Sequence, residues 1–205
     1  MSSVPVSRRS KSNFEAQHQF YRLRDEITEL ILNQFGFDTE RYMKKMERYA
    51  EQHSSSGNAE EITARYKAKC DNFYMKFIRE EQSVVLNILR WIESEFTYGN
   101  SIYPSDTPAK LFEYIERRKH ITAAIANCYV LKQEILYVIR VLPVDINKFY
   151  HYEKAIDAQI ALYKGVRQSD NRFLKSKRKT IDVSKDITAI SDCIIAILNK
   201  IVNAG

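Results

Sequence analysis

Arg48-Tyr-Ala-Glu-Gln-His53 holds the one pair in this sequence with a spacing that phosphodiester chemistry could use. The histidine would act as general base or acid, and the arginine would steady the charge of a phosphorane. The pair sits, however, at the end of a weakly apolar helical stretch that runs into Ser54-Ser55-Ser56, where a rigid site is hard to build. His18, His120 and His151 stand apart from one another and from the cysteines, with no metal-ligand spacing. Gly-rich phosphate loops, His-Glu-x-x-His and Gly-x-Ser-x-Gly are absent. The sequence therefore favours a non-catalytic protein over an enzyme and predicts no cofactor and no metal.

Cations carry more of the chemistry. Lys164, Arg167, Arg172, Lys175, Lys177, Arg178 and Lys179 fall in one short stretch against Asp170 alone, a net +6. The whole chain, with 32 Lys and Arg and 26 Asp and Glu, is also +6, so the rest is neutral. Charge concentrated in this way predicts an anionic partner, nucleic acid first, with Tyr163 or Phe173 offering a face to a base. Arg117, Arg118 and Lys119 form a second cluster that could extend the contact, partly neutralised by Glu113 and Glu116. Arg65, Lys67 and Lys69 are spread round their helix and form no cluster.

These residues need a scaffold, and the composition names its class. Five Gly and four Pro in 205 residues leave few chain breaks, which favours long helices over a sheet of many turns. Cys70, Cys128 and Cys193 each lie in an apolar helical run and read as small buried hydrophobes in a reducing compartment. Residues 1–12 are Ser- and Arg-rich, read as a disordered tail, and have no apolar core of a signal peptide. Ile187 to Val202 is the most apolar tract, yet Asp192 and Lys200 interrupt it and it is too short to span a bilayer. The expectation is a cytoplasmic protein with no membrane partner.

Residues 13–205 read as one helical domain. A first helix from about Phe14 to Phe35 carries Phe20, Leu23, Ile27, Leu30 and Ile31 on one face and stops at Gly36. A short helix capped by Asp38 and a flexible connector fill 39–58. Ile62, Tyr66, Cys70, Phe73, Phe77, Val84, Ile88, Ile92 and Phe96 then mark a long helix with one skip at Glu81. Thr107-Pro108 starts the next, with Leu111, Ile115, Ile121, Ile125, Cys128, Ile135, Ile139 and Leu142. Asp145 caps a further helix through Ile146, Phe149, Tyr152, Ile156, Ile160 and Tyr163. A basic loop over 164–183 and a C-terminal helix over 184–204 complete the chain. Short connections between such helices predict an all-α fold, an antiparallel up-and-down four-helix bundle with one or two additional helices.

Two resemblances bear on function. The run Ala126-Asn-Cys-Tyr-Val-Leu-Lys-Gln-Glu-Ile-Leu-Tyr-Val-Ile139 turns at Leu142-Pro143 into Lys148-Phe-Tyr-His-Tyr-Glu153 and closes on Ile156 to Ser169. Together with Glu80 to Leu89 and Gly99-Asn100-Ser101, this resembles the four-helix-bundle accessory variability determinant proteins (Avd) of diversity-generating retroelements. The resemblance spans about residues 60–170. It departs at Lys164-Gly165-Val166, where the family has a Gly-Gly-Trp-like ending, and in the extra helices at both ends. It implies an RNA-binding, non-catalytic partner of a reverse transcriptase, and a homo-oligomer whose contacts the added helices put in question. The Arg48…His53 spacing resembles that of helical-bundle ribonucleases of the HEPN type. Three readings stand: an RNA-binding accessory protein, a protein–protein scaffold docking through its Ile-rich last helix, and a ribonuclease, with the first preferred.

Overall fold

A computed structural model describes residues 13–54, 58–104 and 110–178. Every regular element among them is helical, so the fold is all-α. The chain divides into two compact units after Arg167. The expected tail over 1–12, the Thr107-Pro108 start and the helix over 184–204 lie outside the described residues.

Helix α1 (Asn13–Leu32) buries Ala16, Phe20, Leu23, Ile27, Leu30 and Ile31, the face its periodicity predicts. It ends before Phe35. Gln34, Phe35 and Gly36 take φ of 51°, 55° and 73° in a tight turn that leaves Phe35 fully buried. Gly36 adopts this left-handed backbone freely, whereas Gln34 and Phe35 are strained by it, and burial of the Phe35 ring offsets that cost. Helix α2 (Thr39–His53) begins as expected on Asp38, whose Oδ1 accepts from the Arg41 backbone N–H at 2.9 Å. Tyr42 of α2 meets Tyr74 edge to face, ring centres 5.5 Å apart, and Phe37 packs on both. Burial and the neighbouring Tyr74 push the Tyr42 phenol up to about 12.

The long helix after the connector changes register. Helix α3 (Ala59–Lys69) leads into a π-helical turn at Cys70–Tyr74 and then α4 (Met75–Ser101). The wider i→i+5 turn rotates the buried face. Tyr74, Ile78, Glu81 and Val85 are therefore buried, while Phe73 and Val84, expected in the stripe, are 49% and 40% exposed. The irregularity read at Glu81 is real but lies at Cys70–Tyr74, and Glu81 itself belongs to the buried face.

Helix α5 (Lys110–Val141) buries Ile121, Ile125, Cys128, Ile135 and Ile139 as expected, but opens on Tyr114 and Arg117 rather than Leu111 and Ile115, which are exposed. Asp145 Oδ1 accepts from the Asn147 N–H at 3.0 Å and starts a 3-10 turn, Ile146–Phe149, that continues as α6 (Tyr150–Arg178). The basic stretch expected as a loop from 164 is thus helical as far as Arg178. Lys, Arg, Gln and Leu, good helix formers, make up about half of it, and Gly165 is its weakest helix former, inside the turn that ends the first unit.

Pairwise contacts fix the neighbours within the first unit. Arg24 of α1 pairs with Glu93 of α4, and Gln82 donates to Ile31 O at 2.8 Å. His120 of α5 lies 2.7 Å from Glu95 of α4, and Phe77 packs edge to face on Tyr137. Gly99 lets these two helices close: a Cβ there would stand 3.1 Å from both Arg117 O and His120 Cβ. Lys132 of α5 bonds Glu153 and Asp157 of α6, each at 2.9 Å, which raises its pKa. Gln159 of α6 donates to Ala16 O at 2.9 Å, and Tyr163 stacks on Phe96 at 4.3 Å.

Candidate nucleic-acid interface

Two of the predicted contact residues lie on α6 in the first unit. Lys164 Nζ donates to the Tyr129 hydroxyl at 2.7 Å and lies 5.3 Å from the centre of that ring, and Arg167 reaches the Thr122 hydroxyl at 3.4 Å. Both cations are therefore steered along α5 by neutral oxygens. No carboxylate takes their charge in these bonds, so it remains available to an incoming phosphate. Helix geometry places Tyr129, Thr122 and Arg118 along one side of α5, at steps of seven and four residues. Tyr129 is 44% exposed.

The rest of the second cluster fares differently. Arg117 is buried, at 6% exposure, with its guanidinium donating to the carbonyls of Gly99 at 3.3 Å and Ile102 at 3.1 Å. It closes the C-terminus of α4, where carbonyls lack intrahelical partners, and is no phosphate contact. Lys119 is exposed but bonds Glu116 at 3.3 Å, which holds the Glu116 carboxyl below its ordinary range. Glu116 also accepts from His120 at 3.2 Å. Arg118 is half-buried, and helix geometry places it on the Thr122 side of α5.

Arg172, Lys175, Lys177 and Arg178 ride on the α6 backbone in the second unit, and Lys179 lies outside the described residues. Tyr163 is no base platform: it is fully buried against Phe96 and Phe20, and burial holds its phenol protonated. Arg48 and His53 are both exposed. Five residues of α-helix turn them about 140° apart. His53 Nδ1 also donates to Tyr49 O at 2.9 Å and its ring stacks on Tyr49 at 4.1 Å. The two side chains therefore leave α2 in different directions.

Cys70 and Cys128 are free and buried, and burial pushes the Cys128 thiol up to about 12. No cluster of three potential ligands for a metal occurs among the described residues, and no helix among them is long and apolar enough to cross a membrane. A cleft of about 260 Å³ opens between α5 and the start of α6, lined by Ile135, Ile139, Phe149 and Ile156 together with Lys132 and Glu153. Sequence reasoning took Arg48 only as half of a catalytic pair and passed over the group it forms with Arg41, Lys44 and Lys45 on α2. Their three- and four-residue spacing was the signal, masked by the weak apolar content of that helix. No protein-family model, curated protein or solved structure matches this chain.

Proposed function

We propose that this chain is a non-catalytic nucleic-acid-binding accessory protein, cytoplasmic, that binds structured RNA and docks on a reverse transcriptase, as the retroelement proteins it resembles do. The supporting observation is the placement of Lys164 and Arg167. The charge that makes the chain basic begins on an ordered helix, held beside α5 by hydroxyls rather than neutralised by acids. Arg118 extends the contact on α5, and Arg172, Lys175, Lys177, Arg178 and Lys179 supply the remaining phosphate contacts. In this reading α1, α4, α5 and α6 close as an antiparallel up-and-down bundle. The Arg24–Glu93, His120–Glu95, Lys132–Asp157 and Gln159–Ala16 contacts support it, since they join α1 to α4, α4 to α5, α5 to α6 and α6 back to α1.

The test is binding of a structured RNA across a salt series, by wild type and by a variant with Lys175, Lys177, Arg178 and Lys179 changed to Gln. Each lost phosphate contact lowers the log–log salt slope by about 0.7–0.9, so four should lower it by about 3. Unchanged affinity and slope would sink the site. A second reading, a scaffold or homo-oligomer, is favoured by Val84, Trp91 and Tyr98, exposed at seven-residue steps along α4. A wild type that ignores RNA at low salt would leave that reading in front.

A further inference from the structure

The surface of α2 is segregated by charge. At 100° per residue, Arg41, Lys44, Lys45, Arg48 and Gln52 fall within an arc of about 100°, with the cations spread over about 10 Å of helix axis. Glu40, Glu47 and Glu51 gather on the adjoining flank. All four cations are exposed, and none makes an ion pair or side-chain hydrogen bond among the described residues. They wall an open groove of about 590 Å³, with Asp38 and Glu40 at its N-terminal end. The Asp38 side chain is already engaged by the Arg41 backbone N–H. Tyr49 borders the cations, 42% exposed, with its ring braced by His53 at 4.1 Å and by Tyr66 edge-on at 6.1 Å.

We propose that this face of α2 is a binding site for single-stranded nucleic acid, in which Arg41, Lys44, Lys45 and Arg48 track successive phosphates and Tyr49 stacks a base. Charge complementarity selects a polyanion, since four unpaired cations on three successive levels of one helix face match a chain of phosphates better than a single anion. The braced, half-exposed aromatic selects nucleic acid among polyanions, because a base has a π-face and an acidic peptide or lipid headgroup has none. A membrane would also need the apolar face of α2. That face is occupied: Tyr42 packs on Tyr74 and Phe37, and Ala50 is fully buried. This site shares no residue with the α5–α6 reading and stands or falls separately from it.

The experiment titrates the full-length protein into a fluorescent single-stranded RNA of about 16 nucleotides, the upper end of common site sizes. Anisotropy is read between about 50 and 200 mM salt. Three proteins are compared: wild type, a quadruple variant (Arg41→Gln, Lys44→Gln, Lys45→Gln, Arg48→Gln) and a double variant (Lys164→Gln, Arg167→Gln). Gln keeps helix propensity close to Lys and Arg, so the quadruple variant should fold, checked by circular dichroism. The expected result is a salt slope lower by about 3 in the quadruple variant, and at least a tenfold loss of affinity at the low-salt end. A Tyr49→Leu variant should weaken binding several-fold or more while Tyr49→Phe does not. A quadruple variant that binds as wild type overturns the α2 site, and loss in the double variant alone then leaves the α5–α6 reading intact. Binding to phosphatidylserine vesicles, but not to RNA, that the quadruple variant abolishes would overturn it as well, by assigning the face to lipid.

Discussion

Replacing Glu81 by Gln should stabilise the protein above neutral pH and change little below about pH 5. Glu81 sits on the buried face of α4, 9% exposed. Burial, then the charge of Glu134 on α5, raises its carboxyl from an ordinary 4.5 to about 7. The folded state thus holds this proton more tightly than the unfolded chain. Between those two pH values the native protein binds more protons than the unfolded one, so stability falls as pH rises and levels off above about 7. A rise of that size corresponds to at most about 3.5 kcal/mol, at about 1.4 kcal/mol per tenfold change in proton affinity. Glu134 is only half-buried, and water reaching it brings the expected figure to about 1–2 kcal/mol. Glutamine keeps the shape and can donate to Glu134 at every pH. Urea unfolding of both proteins at pH 5 and pH 8 reads the effect. The variant should match wild type at pH 5 and exceed it by about 1–2 kcal/mol at pH 8. Equal destabilisation at both pH values would refute the buried, proton-holding carboxyl.

The α4–α5 junction carries two further tests. Arg117→Met removes the donor that satisfies the Gly99 and Ile102 carbonyls and should cost about 2–3 kcal/mol in urea unfolding, with RNA affinity unchanged. A loss of affinity without a loss of stability would return Arg117 to the interface. Gly99→Ala places a Cβ 3.1 Å from Arg117 O and His120 Cβ. The strain, about 1–3 kcal/mol, should outweigh the helix-propensity gain of about 0.5–1 kcal/mol and lower Tm by about 2–4 °C. A raised Tm would mean that the helices do not approach this closely.

Periodicity made most of the helical architecture legible and failed where the helix itself departs from 3.6 residues per turn. The stripe of α1 and the middle of α5 are buried residue for residue as read. Between Lys69 and Met75 the π turn adds residue without adding face, so a reading that assumes one period assigns Phe73 and Val84 to the core in place of Tyr74 and Val85. The three left-handed residues at Gln34, Phe35 and Gly36 were legible only at the glycine. Nothing in the types Gln and Phe signals positive φ; tertiary burial of the Phe35 ring imposes it. Asp38 and Asp145 were legible because a cap is a local bond, settled by the side chain and the next turn alone.

Density of charge proved a weaker guide to a cation's role than its phase on the helix. Arg117, Arg118 and Lys119 look like one cluster in sequence, yet successive residues turn 100°, so they point three ways. Arg117 continues the buried spacing of Tyr114, Ile121 and Ile125, and a residue in that phase is turned inward whatever its charge. Its guanidinium then needs partners, and the open carbonyls at the end of α4 supply them. Arg41, Lys44, Lys45 and Arg48 show the converse. They are no denser than the 117–119 run, but they share one phase, opposite Tyr42 and Ala50, and so build a continuous surface. A polyanion reads surfaces rather than counts, which is why an exposed helix with little apolar content can carry a binding face that a tally of Lys and Arg does not single out.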